Sequence, residues 1–81
     1  MVEIRYFASV AEAAGTPTEL IAIPDGMTAG QLRSQLAHQR PGEFSRLVGI
    51  SALLVNGVSA DDVTVLPERA KVDVLPPFAG G

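Results

Sequence analysis

Apolar and polar residues alternate from the start of the chain. Val2, Ile4 and Tyr6 share one parity, and Glu3 and Arg5 take the other. A period of two predicts a strand with one buried face. Ser9-Val10-Ala11-Glu12 has the S-x-x-E spacing of a capping box, so a short helix is expected from there through Ala14, stopped by Gly15. Glu19 to Ile23 predicts a second strand. Its apolar residues Leu20 to Ile23 are consecutive, which implies either that both faces are covered or that one is given to a partner. Pro24-Asp25-Gly26 is a turn signal. With only a short helical excursion between them, the first two strands are expected to pair antiparallel.

Thr28-Ala29-Gly30-Gln31 is a second capping box, with Met27 and Leu32 placed for a hydrophobic staple. Ala29, Leu32 and Leu36 then form an inward stripe, and Arg33, Gln35, His38 and Gln39 supply most of the outer face. Pro41-Gly42 ends this main helix. Residues 43–48 are ambiguous, with one helical turn as the simplest reading. Ala52 to Val55 predicts a third strand, and Asn56-Gly57 is a strong hairpin-turn signal. Ser59 to Asp62 reads as turn or loop, Val63 to Leu66 as a brief strand, and Pro67 to Ala70 as a turn. Lys71 to Leu75 predicts the last strand, with Val72 and Val74 facing the core. A mixed sheet packed on one main helix satisfies this order in two layers, an α+β domain. Setting the last strand beside the first would make a central pair.

Composition narrows the class. With 81 residues, 47% hydrophobic and 19% charged, the chain is one globular domain. Its net charge is −3 and its six basic residues are scattered, which argues against nucleic acid as a partner. The absence of cysteine excludes disulfides, thiol catalysis and Cys-ligated metals, and favours the cytoplasm over an oxidising compartment. Charges inside the first apolar stretch do not fit a signal peptide, and no apolar run approaches the ~20 residues of a membrane span.

The most informative segment is the last. Residues 1–75 read as the domain and 76–81 as an extended tail, Pro76-Pro77-Phe78-Ala79-Gly80-Gly81. Two prolines keep the backbone extended and block further strand pairing. Ala79, Gly80 and Gly81 have almost no side-chain bulk, so such a segment fits a channel too narrow for ordinary residues. A frayed end is the plain alternative. Chance places Gly at both final positions in only roughly 0.5% of chains, at an average usage of about 7%. The group presented is then the main-chain carboxylate of Gly81. ATP converts a carboxylate into an acyl-adenylate with a good leaving group. Sulfur attack gives a thiocarboxylate, and attack by a lysine amine gives an isopeptide. In either route the protein is a substrate and carrier.

Ile4-Arg5-Tyr6-Phe7-Ala8 followed by Ala14-Gly15, the Thr28-Ala29-Gly30-Gln31-Leu32 helix start, Val55-Asn56-Gly57 and Leu75-Pro76-Pro77-Phe78-Ala79-Gly80-Gly81 together resemble the small subunits of molybdopterin synthases. The resemblance spans essentially the whole chain, and the ending is its most specific part. It implies a ubiquitin-like β-grasp fold and a sulfur carrier that is not an enzyme on its own. It implies no permanently bound cofactor, with ATP consumed by a separate adenylating enzyme. A sulfurtransferase or cysteine desulfurase system would install sulfur on Gly81, and Gly80 would fit the partner's channel. The expected acceptor is the large synthase subunit, in a heterotetramer. There the precursor, a cyclic pyranopterin monophosphate, gains its two dithiolene sulfurs. Phe78 is bulkier than the small apolar residue common at that place, which implies a wider channel beside it. Carriers for thiamine and cysteine biosynthesis share the fold and the Gly-Gly end. A protein modifier and a passive ubiquitin-like binding module remain alternatives, although the Pro-Pro lead-in favours the molybdopterin branch.

Partner contacts are expected at Phe7, Leu75, Pro76, Pro77, Phe78 and Ala79. Phe7 has the outward parity of its strand; packing under the first helix is the even alternative. His38 reads as an ordinary surface residue and Asp61-Asp62 as a solvated turn, since neither belongs to a ligand set. Gly26 and Gly30 form no phosphate-binding motif. Arg69 and Lys71 read as solvated cations.

Overall fold

The computed structural model describes residues 1–77. The elements in chain order are β1 (Val2–Tyr6), α1 (Ala8–Ala14), β2 (Thr18–Ile21), α2 (Ala29–Gln39), α3 (Glu43–Ile50), β3 (Ala52–Val55), β4 (Val58–Ala60) and β5 (Lys71–Leu75). One five-stranded sheet has the order β2-β1-β5-β3-β4. β1 and β5 are parallel, while β1–β2, β3–β4 and β3–β5 are antiparallel. This mixed sheet, with its helices on one face, is the expected ubiquitin-like β-grasp.

Strand periodicity does what it predicts. Val2, Ile4 and Tyr6 of β1, Val72 and Val74 of β5, and Leu53 and Val55 of β3 are buried on one face. Val10, Leu32, Leu36, Phe44, Leu47 and Val48 from the three helices join them in a single core.

α2 starts as its sequence directs. Thr28 Oγ1 accepts from Gln31 N–H at 3.2 Å, and Gln31 Oε1 accepts from Thr28 N–H at 2.9 Å. The next two amides are met by another part of the chain. Ala29 N–H donates to the Thr64 carbonyl at 2.8 Å and Gly30 N–H to the Asp62 carbonyl at 3.0 Å. The segment after β4 therefore closes on the helix N-terminus and meets donors that a helix cannot satisfy internally. Gly30 allows this approach, because a Cβ there would sit 2.8 Å from Asp62 Cβ and 3.0 Å from its carbonyl oxygen.

Residues 43–48 are not one turn but most of a full helix, α3. Phe44, Leu47 and Val48 at i, i+3 and i+4 already carried that signal. Pro41 holds Arg40 out of helical geometry (φ −135°, ψ 88°), and Gly42 at φ 101° starts α3 at once. Arg33, expected on the solvated face, instead reaches across from α2. Its Nη1 donates to the carbonyls of Val48 and Ser51, each at 2.7 Å, at the C-terminal end of α3 where a cation is favoured.

Three further expectations change. The Ser9 capping box does not form. Phe7 takes the N-cap position and Ala8, at φ 51°, turns the chain, so the helix is already running at Ser9. Ser9 Oγ is buried with no hydrogen-bond partner. β2 ends at Ile21 rather than Ile23, because its partner strand ends where Val2 pairs with Ile21. The short strand after the hairpin is Val58–Ala60, not 63–66. Asn56 (φ 50°) and Gly57 (φ 81°) make a two-residue turn that pairs Val55 with Val58 directly. Val65 keeps only an isolated bridge to Thr28.

A polar cluster ties β1, β2 and the α2–α3 corner. Glu19 accepts from Tyr6 Oη at 2.6 Å and from Arg40 Nη1 and Nη2, each at 2.8 Å. The Arg40 guanidinium lies 5.0 Å from the Phe44 ring centroid, and Tyr6 meets that ring edge-on at 5.4 Å. The Arg40 hydrogen bonds hold the Glu19 carboxyl below its ordinary value. Burial, then the bond to Glu19, pushes the Tyr6 phenol up.

Ala in place of Gly inside a helix ordinarily stabilises by about 1 kcal/mol. Here Gly30→Ala should instead destabilise by about 1–3 kcal/mol through overpacking against Asp62, as read from urea unfolding. Ala8→Gly should stabilise by about 0.5 kcal/mol in the same assay, by relieving a left-handed alanine. Glu19→Gln should cost about 1 kcal/mol at neutral pH, a low figure for bonds to a charged group because 26% of that side chain still meets solvent. Glu19 has a lowered folded pKa. Its contribution is therefore complete above the unfolded value of about 4.3 and is lost as pH falls through the folded value. The gap between Glu19→Gln and the parent should narrow in unfolding curves taken at progressively lower pH.

Candidate functional site

With the helices on one face of the sheet, the other is left open. Strand pairing arranges its residues in transverse rows. Thr18, Arg5, Asp73, Leu54 and Ser59 lie directly opposite one another across all five strands. One row toward the N-terminal end of β1 are Leu20, Glu3 and Lys71. One row toward the C-terminal end of β5 are Leu75 and Ala52, with Phe7 at the position following β1. Rows two residues apart are about 7 Å apart along the strands.

The last row is apolar and borders the point where the chain leaves the sheet. Leu75 is half-buried, Pro76 buried and Pro77 exposed. Phe7 is 38% exposed and is not packed away under the first helix. The parallel register pairs Tyr6 with Val74, so Phe7 and Leu75 occupy neighbouring positions. Of the expected partner-binding residues, the structure thus places Phe7, Leu75, Pro76 and Pro77 at one end of the domain. Phe78, Ala79, Gly80 and Gly81 lie outside the described residues.

Behind the apolar row stands an ion pair that the sequence reading missed. Arg5 Nη2 donates to Asp73 Oδ2 at 2.9 Å and Arg5 Nε to Asp73 Oδ1 at 2.5 Å, a two-pronged contact. Asp73 is only 7% exposed although it points away from the core. The outward parity of Arg5 and Asp73 was visible in each strand, but their meeting required the β1–β5 register. Leu20 is 69% exposed on the same face at the β2 edge, so the chain does not cover both faces of that strand.

The opposite side holds a groove of about 500 Å³ between α1 and α3, lined in part by Glu12, Ala13, Arg40, Phe44, Arg46 and Leu47. Its two arginines are engaged with Glu19 and Glu43. His38 is exposed, with Nδ1 2.8 Å from the Ser34 carbonyl. Asp61 Oδ1 accepts from Val63 N–H and Thr64 Oγ1, the solvated turn expected of it. Among the described residues no cluster of His, Asp or Glu is placed to hold a metal, and no helix is long and apolar enough to cross a membrane. The apolar row of the open face borders the point where the chain continues into Pro76-Pro77.

Comparison with known proteins agrees with this geometry. The ThiS family matches residues 4–81. The human molybdopterin synthase sulfur carrier subunit is 30% identical over 86 residues, covering 99% of this chain and 93% of that protein. SAMP1 from Haloferax volcanii superposes with a TM-score of 0.78 at 25% identity, covering 99% of this chain and 98% of that one. A chain of the complex of subunits 1 and 2 of molybdopterin-converting factor from Helicobacter pylori superposes with a TM-score of 0.69 at 25% identity, covering 99% and 97%.

Proposed function

The chain belongs to the ThiS family, and from that premise we propose that it is the sulfur carrier subunit of a molybdopterin synthase. The observation that carries the reading is continuity. The central strand β5 ends at Leu75 in the apolar row and continues into Pro76-Pro77, and the sequence goes on from there to Gly80-Gly81. A rigid domain with an adhesive face delivers a slender acyl end into another protein's site.

The chemistry asks little of the carrier's side chains. A separate adenylating enzyme joins the Gly81 carboxylate to the AMP moiety of ATP and releases pyrophosphate. A sulfurtransferase or cysteine desulfurase system supplies sulfur as a protein persulfide, whose terminal sulfur displaces AMP; a second thiol then cleaves the resulting acyl disulfide, leaving the Gly81 thiocarboxylate and a disulfide between the two thiols. The large subunit then binds the open face, receives the tail and transfers that sulfur to the pterin precursor. Two sulfurs are needed for one dithiolene, so two loaded carriers act or one is reloaded. ATP belongs to the activating enzyme, and the carrier holds no permanent cofactor. Gly80 and Ala79 keep the tail narrow, and Phe7, Leu75, Pro76, Pro77 and Phe78 contact the partner.

The same activated Gly81 also allows a second reading, in which a lysine amine rather than sulfur attacks it and forms an isopeptide.

Intact mass spectrometry of the protein from its host distinguishes these readings. Replacement of one carboxylate oxygen by sulfur, localised to Gly81, is expected. Deletion of Gly81 should abolish sulfur transfer in a reconstituted assay while the melting temperature stays unchanged. Gly81 joined to lysines of other proteins would establish the modifier reading. An unmodified carboxylate after incubation with ATP and the host's adenylating enzymes would overturn both.

A further inference from the structure

The Arg5–Asp73 pair occupies the middle of the open face, one row behind Phe7 and Leu75 and directly beside Leu54. A partner that takes the tail and covers the apolar row must also cover this pair. The pair presents its two halves unequally. The Arg5 side chain is 39% exposed and that of Asp73 only 10%. Both Asp73 oxygens already accept from Arg5. A guanidinium has five N–H donors. Two serve Asp73, and among the described residues Arg5 has no other hydrogen-bond partner. What this row offers a partner is a fork of unused donors held in place by its own carboxylate.

Covering that fork removes its water. Donors left unmet when buried are costly, so the covering surface must bring acceptors. Their charge is constrained as well. The pair is neutral, and so is the Glu3–Lys71 couple in the next row, so adding a carboxylate would leave a net negative charge drying beside the apolar row. Neutral oxygens meet the donors without that excess. We infer that Arg5, oriented by Asp73, is a specificity-determining residue of this face, read by main-chain or amide oxygens on the large subunit that receives the tail. The inference rests on the carrier reading and names a contact within it. A partner with a purely apolar surface at that spot strands the donors and is rejected, which is selection by an unmet polar group rather than by added attraction.

Calorimetric titration with the large subunit from the same genome tests this with three proteins: wild type, Arg5→Lys, and Arg5→Met combined with Asp73→Leu. Lysine keeps the charge beside Asp73 but loses the planar fork. Both variants should melt within about 5 °C of wild type, since the change lies outside the core. Arg5→Lys should bind about tenfold more weakly, the size of one lost hydrogen bond to a charged donor. The double variant should bind at least as weakly as Arg5→Lys, because the partner's oxygens then face hydrocarbon. Wild-type affinity at this contact should respond little to salt. Arg5→Lys binding as tightly as wild type, or the double variant binding as tightly or more so, would show an apolar surface opposite and reduce the pair to a support for the sheet. A steep salt dependence present in wild type and lost in the double variant would mean an acidic partner group and would overturn the neutral-acceptor assignment. Failure of wild type to bind the large subunit at all would remove the carrier–subunit reading itself, whatever the variants do.

Discussion

The parallel pairing of β1 with β5 is the constraint on which the rest of the molecule depends. It joins residues about seventy positions apart in register from Glu3–Lys71 to Tyr6–Val74. Parallel neighbours cannot be joined by a tight turn, so everything between them must cross over. Here that crossover carries three helices and three strands, with the helices gathered on one face. The core strand pair is buried from one side only, and the other side of the sheet is left to water or to a partner. The same parallelism brings Phe7 and Leu75, with Pro76-Pro77 after it, to one end of the domain. It also sets Arg5 opposite Asp73.

The two faces of the sheet are finished very differently. On the helix side, polar groups are largely accounted for. The α2 N-terminus is met by Thr28, Gln31 and the 62–64 segment, and the α3 C-terminus by Arg33. Glu19 and Arg40 close the corner where β2, α2 and α3 approach. This side is bound largely to itself, and the two arginines of its groove are already paired with Glu19 and Glu43. On the open side, apolar residues and an under-used guanidinium stand together without a cover among the described residues.

Local sequence determined a great deal. Alternation in Val2–Tyr6 and Lys71–Leu75 named both central strands and their core residues. The Thr28 capping box and the Asn56-Gly57 turn appeared as written, because each is settled by a few adjacent residues. The family was legible too, since motifs spread along the chain and the Gly-Gly ending are properties of sequence. Where reading failed, a longer-range fact had prevailed. The Ser9 box was overruled by where β1 ends and how sharply Phe7–Ala8 turns. β4 was displaced from 63–66 because the tight turn pairs its neighbours at once, while the later segment is drawn to the α2 N-terminus. The need for glycine at position 30 was invisible, because the atom that excludes a side chain there belongs to Asp62.

The sequence by itself thus determined the two central strands, the main helix with its core stripe and the residue types of the tail, all of which depend on neighbours within a few residues. Only the tertiary structure decided which residues share the open face. Arg5 and Asp73 each carried an outward parity and nothing more. A strand's pattern states which way a side chain points, but the partner it meets is set by the register of a pairing that forms only when the whole crossover has closed.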